Sequence, residues 1–208
     1  MGELETCRGL NQDFGLVRAS DTRWRSHYKS FGNFILLFDS TIDVLDTLVE
    51  DARTLNERAK VSGYLRSCQM FEVAFMLRLM KDILGITYDL NISLQKKEQN
   101  IANAMILVEV AKRKLQMLRV DGWNPLKDKV STFCIKHDIR IPNFDEPYAN
   151  SERSRHKVVD HTTLHHYRVD IFYKIIDRQL QELDDRFNEG TNDLFHGVAC
   201  LNPVSFIF

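Results

Sequence analysis

Apolar residues recur at intervals of three and four through most of this chain, a spacing that restricts it to helices burying one stripe each. Phe34, Ile35, Phe38, Ile42, Leu45 and Leu48 share one helical face and predict a first helix from Phe31 to about Asn56. Val61, Leu65, Cys68, Phe71, Phe75, Leu79 and Ile83 continue the pattern from about Arg58 to Leu84. This second helix is apolar on more than one face, so it is expected at the centre of the fold, with Gly85 as its stop. A third helix, from about Thr87 to Val120, carries Leu90, Leu94, Ile101, Met105, Val108, Leu115 and Leu118 and should end at Gly122. Asn124 and Pro125 offer a cap and a first-turn residue for a fourth helix through Lys136, since proline lacks an N–H that the first turn would leave unpaired anyway. Pro142 and Pro147 then interrupt the pattern, and residues 143–163 read as a long surface loop or linker. Tyr167, Ile171, Ile175, Leu180, Leu183 and Phe187 predict a fifth helix with Arg178, Glu182 and Arg186 on its outer side. Only nine glycines and four prolines punctuate 208 residues, so the expected class is all-α. The segments are a polar leader over residues 1–30, a helical domain over 31–142, the linker over 143–163, and a last helix with its tail over 164–208.

Charge and cysteine usage narrow the setting. Lys and Arg number 28 against 29 Asp and Glu, a formal charge of −1, so no global field draws the molecule to nucleic acid or an acidic membrane and any such contact must be local. Cys7, Cys68, Cys134 and Cys200 are widely spaced, which suits reduced thiols better than a disulfide framework. The N-terminus has no basic segment leading into an apolar run, so no secretory signal is expected. Gly2 and Thr6 match a myristoylation pattern, but Glu3 and Glu5 and the lack of a basic second anchor speak against it. "MFEVAFMLRLM", interrupted by Glu72 and Arg78, is too short to span a bilayer. A soluble protein with no membrane partner is expected.

The familiar signatures of chemistry are sparse. There is no Gly-rich phosphate loop, no Gly-x-Ser-x-Gly elbow and no His-Glu-x-x-His. Asp39, Asp43, Asp46, Glu50 and Asp51 could in principle hold Mg²⁺, but their spacing sets most of them opposite the apolar stripe as a solvated face. Cys134 with His137, and His161 with His165, have zinc-ligand spacing. Cys134 shares its helical stripe with Val130, however, which favours a buried structural cysteine. His161, His165 and His166 are explained equally well as polar residues at a helix start. No metal, cofactor or small-molecule substrate is expected.

One stretch stands apart. In "DTRWRSHYKS" the cations Arg23, Arg25 and Lys29, with Arg18 just upstream, face the single acid Asp21, and Trp24 and Tyr28 are interleaved among them. Arginine clamps phosphate through paired N–H groups, and a tryptophan face stacks on an exposed base. That chemistry suits unpaired or distorted DNA. In the competing reading Trp24 is a core residue opening the first helix, and the cations keep that turn soluble.

The blocks "GLNQDFGLVRASDTRWRSHYKS", "MFEVAFMLRLMKDILGITYDLNISLQKKEQNIANAMILV", "VSTFCIKHDIRIPNF" and "LHHYRVDIFYKIIDRQLQELDDRF" with "ACLNP" occur in this order. Together they resemble hAT-superfamily transposase derivatives of the plant zinc-finger MYM-type group, from about Gly2 to Pro203. The resemblance implies the helical insertion domain of a ribonuclease-H-like transposase whose catalytic core is largely absent from these residues. It places the family's Arg-Trp step, which handles transposon-end DNA, on Arg23 and Trp24. Arg25 stands where the family has glycine, which opposes close backbone approach there. The family's two aspartates, its glutamate and its TTF-type zinc finger have no match in residues 1–208, so the expected protein is not an enzyme. It would be a transposon-derived fragment with residual affinity for hairpin or single-stranded DNA ends through Arg23, Trp24, Arg25 and Lys29. The apolar ending "DLFHGVACLNPVSFIF" reads as a truncation, and helices that normally pack on a catalytic core would leave an apolar face open to self-association. The alternatives are a helical interaction module without DNA binding, or part of a transposase that needs other segments for catalysis. The resemblance implies a nuclear location, a cytoplasmic one being the other reading.

Overall fold

The computed structural model describes residues 24–96, 101–148 and 161–187. The chain divides into two compact units, Met1–Leu65 and Arg66–Phe208. Among the described residues every regular element is helical, so the all-α class holds.

In the first unit, α1 (Trp24–Leu36) and α2 (Phe38–Asp51) follow one another with only Leu37 between them. The backbone ladder does not break there, since Leu37 donates to the Asn33 carbonyl and Thr41 N–H donates to that of Leu37, each at 2.8 Å. The Thr41 hydroxyl also donates to the Leu37 carbonyl at 2.8 Å. A threonine bonding back onto the preceding turn bends a helix, and Leu37 accordingly sits at φ −96°, ψ 17°. Phe34 meets the buried Phe38 edge-on across the bend, centroids 5.8 Å apart. α3 (Leu55–Cys68) starts from a reciprocal cap: Glu57 N–H donates to the Thr54 hydroxyl at 3.1 Å, and Thr54 N–H donates to the Glu57 carboxylate at 3.3 Å. This pairing satisfies two otherwise unpaired donors. It explains why one helix ends at Asp51 and the next begins at Leu55, where the apolar spacing alone suggested a boundary near Asn56.

The second unit is built on α4 (Phe71–Leu94), α5 (Ile101–Asp121) and α6 (Trp123–Lys136). α4 is the central helix, burying Phe71, Ala74, Phe75, Leu77, Leu79, Ile83 and Leu84. Gly85 does not stop it. A lone glycine costs about 1 kcal/mol inside a helix, which the packing on both sides of it outweighs, so the segment Thr87–Leu94 belongs to α4 and not to the third helix. α5 contributes Val108, Ala111 and Leu115, and α6 contributes Trp123, Leu126, Val130, Phe133 and Cys134. α6 begins at Trp123 with Gly122 as its cap residue, two positions before the expected cap Asn124, leaving Pro125 still within the first turn. It closes on a Schellman motif: Asp138 takes φ 54°, and Ile139 N–H donates to the Cys134 carbonyl at 2.8 Å, folding the buried Ile139 back onto the end of the helix.

The segment beyond Pro142 is more ordered than a linker where it is described. Tyr148 N–H donates to the His161 carbonyl, Thr163 N–H to Glu146, and Leu164 N–H to Phe144, at 3.0, 2.8 and 2.9 Å. These bonds clamp residues 144–148 across residues 161–164 as a strap. Residues 149–160 lie outside the described residues. The strap delivers the last helix, which has three parts: α7 (Thr163–His165), a π-helical stretch His166–Tyr173, and α8 (Lys174–Arg186). The π-helical stretch shifts the buried stripe. Residues five apart lie about 140° apart on an α-helix, and the wider turn of a π-helix, whose bonds span five residues, brings them closer to one face. Tyr167, Phe172 and Ile176 are therefore buried, whereas spacing by four pointed to Tyr167, Ile171 and Ile175. The same register lets Arg168 Nε donate to the Tyr173 hydroxyl at 3.1 Å.

An aromatic cluster joins these elements. Tyr167 lies 4.9 Å from Phe75 and 5.1 Å from Phe71, centroid to centroid. Trp123 lies 6.1 Å from Phe75 and 5.7 Å from Phe172. α8 is tied to α5 at the surface, where Lys112 bridges Glu109 and Asp184 at 3.0 and 2.8 Å and Arg119 pairs with Asp177. Exposed pairs of this kind fix register more than they stabilise.

Candidate functional site

The basic-aromatic stretch is only partly described. Arg23 lies outside the described residues, and α1 starts at Trp24. Trp24 and Arg25 thus occupy the first turn of a helix whose first turn carries no acidic residue. Lys29 follows one turn after Arg25 and is exposed.

Cys134 is fully buried, and burial pushes its thiol up to about 11, against the opposing pull of the Arg78 guanidinium. A raised thiol is the reverse of the lowered one a reactive cysteine needs, in keeping with the packing position of Cys134 on α6. His137 packs its ring against Phe133, centroids 4.3 Å apart. Asp39, Asp43, Asp46, Glu50 and Asp51 are all exposed along α2, consistent with a solvated face.

The second His pair behaves differently. His161 leaves the strap beside His166, and both meet Asp170 one turn further along the π-helical stretch. Asp170 Oδ2 lies 3.1 Å from His161 Nε2 and 3.6 Å from His166 Nδ1. One donor atom from each of the three residues falls within 4.8 Å of the other two, the group of this kind found among the described residues. Tyr148 stacks on His166, centroids 3.6 Å apart and planes 16° apart, and lies nearly parallel to His161. His166 titrates below the ordinary histidine range, chiefly because it is buried, and Asp170 offsets part of that effect. The zinc spacing pointed to His161 with His165. The His165 ring, centred 5.0 Å from that of His161, lies outside the trio. Asp170 drew no attention in the sequence because its partner across the strap is nine residues away and no helical period links the two.

Comparison of the chain with protein-family models, with curated proteins and with solved structures found no match. No helix among the described residues is long and apolar enough to cross a membrane.

Proposed function

We propose that this chain is a transposase-derived helical module, of the hAT insertion-domain kind, that contacts distorted or unpaired DNA at the start of α1 and does not itself cut or join it. The observation that carries the reading is that Trp24, Arg25 and Lys29 fall together on the first two described turns of α1, the first of which holds no acid, so a base-stacking residue and two cations share one short helical segment. The family's catalytic acids have no counterpart in these residues, which leaves binding as the retained activity. A nuclear location follows from that role.

The test uses labelled hairpin-ended and blunt duplex DNA with the Trp24→Ala and Lys29→Ala variants. Trp24→Ala should abolish the preference for hairpin ends while leaving the melting temperature in place, because one base stack is worth ~1–3 kcal/mol. Lys29→Ala should weaken all DNA forms alike and reduce the salt slope by about 0.9 on duplex. A Trp24→Ala chain that melts far below wild type would make Trp24 a core residue and end the DNA reading.

A second reading is favoured by α5. Ile106, Val110, Met117 and Val120 are all exposed and, with Arg113, follow the 4-3-4-3 spacing of a coiled-coil seam. This face suits a second copy of the chain, as expected of helices that once packed on a catalytic core. Sedimentation should show a dimer in wild type and a monomer in Met117→Lys. A wild-type monomer at high concentration would remove this reading without touching the DNA one.

A further inference from the structure

The geometry points to a transition-metal dication site, of the zinc class, formed by His161 Nε2, His166 Nδ1 and Asp170 Oδ2. Donors held 2.0–2.2 Å from a tetrahedral ion lie roughly 3.3–3.6 Å from one another. The two carboxylate–imidazole separations here are 3.1 and 3.6 Å, and no pair in the trio exceeds 4.8 Å. His161 Nε2 adds an independent observation. The atom is enclosed and makes no hydrogen bond, although Asp170 Oδ2 is only 3.1 Å away. The two atoms are close but not aligned as donor and acceptor, an arrangement that an ion lying between them would satisfy. Two imidazoles and one carboxylate suit zinc and its neighbours in the first transition row better than Mg²⁺ or Ca²⁺, which prefer all-oxygen sets.

The surroundings fit a rigid site. His166 is held by the stacked Tyr148 ring, His161 by the strap bond from Tyr148 N–H to its carbonyl, and Asp170 by the π-helical stretch. Such stretches occur often where a helix has been adapted to a ligand. Three protein donors leave one tetrahedral position for water. The ion would join the end of the strap to the last helix, so binding free energy would appear as folding free energy.

The full 208-residue chain, stripped with chelator, is titrated with Zn²⁺ alone against a chromophoric competitor and melted at each step. One equivalent should bind, with a rise in melting temperature that saturates there. Asp170→Asn and His161→Asn should each weaken binding by more than ~100-fold, beyond the 10–100-fold typical of residues that only support a ligand. His165→Asn should keep wild-type affinity. Co²⁺ supplies a second readout, a visible absorption band in wild type that Asp170→Asn lacks; if that variant does not fold, the wild-type band and its stoichiometry decide the matter. Zn²⁺ that leaves the wild-type melting temperature unchanged would overturn the inference. So would equal affinity in wild type and Asp170→Asn, or a loss in His165→Asn as large as in His161→Asn. In those cases the trio is a polar contact that pins the strap without metal.

Discussion

Phe75→Ala should remove about 3–5 kcal/mol from the stability of the unit Arg66–Phe208, the range for truncating a fully buried phenylalanine. Phe75 is 1% exposed and touches rings from three other positions: Phe71 on its own helix, Trp123 at the start of α6, and Tyr167 on the π-helical stretch. Those rings are anchored on separate elements and cannot all move inward, so the cavity stays open and the cost lies at the upper end. Urea unfolding followed by circular dichroism should show a lower midpoint with little change in slope. Val169→Ala, at an exposed position on the same helix as Tyr167, should shift the midpoint by less than about 0.5 kcal/mol equivalent. A Phe75→Ala loss below 1 kcal/mol would mean that the aromatic cluster is not the core of this unit.

Gly122→Ala carries the second large effect, and its sign is the informative part. Gly122 sits at φ −78°, ψ −13°, a conformation open to any residue, so alanine would ordinarily stabilise by about 0.4–1 kcal/mol through the unfolded chain. Space forbids it here. A Cβ at this position would lie 2.3 Å from the Leu118 carbonyl oxygen and 2.6 Å from Leu118 Cδ1. That carbonyl accepts the Gly122 N–H at 2.8 Å and cannot withdraw without losing the bond. The net change should be a loss of about 1–3 kcal/mol, as for other overpacked sites, accompanied by displacement of the adjacent Trp123. Thermal melting and tryptophan emission check both parts; a higher melting temperature would show that the α5–α6 turn has room to spare.

The helical class and the buried stripe at the centre of the second unit were legible because a period of three to four survives in the sequence wherever one face is covered, whereas of the first helix's predicted face only Phe38 is buried and Leu48 is exposed. Phe75, Leu79, Ile83, Val108, Leu115, Val130 and Cys134 were read as apolar-stripe residues and are buried. Boundaries were less legible where tertiary packing overrode a local signal, as at Gly85, or where no apolar period marks the break, as between Cys68 and Phe71. Thr54 with Glu57 is a legible signal that the apolar spacing hid. The π-helical stretch could not be read at all, since period counting presumes an α-helix, and the shift from Ile171 and Ile175 to Phe172 and Ile176 follows from that presumption alone. Within the His161, His166 and Asp170 trio the pair His166 and Asp170 keeps an ordinary i,i+4 spacing, while His161 joins it through a strap closed by backbone bonds that leave no trace in residue type.

The central claim is that the start of α1 binds unpaired or distorted DNA. The most direct measurement is the ratio of dissociation constants of the full chain for hairpin-ended and blunt duplex DNA of matched sequence and length, at one fixed salt concentration. A single retained base stack predicts roughly tenfold tighter binding to the hairpin-ended form. Equal affinity for the two forms, or no binding to either at low salt, would contradict the claim and leave "DTRWRSHYKS" as the opening turns of a helix and nothing more.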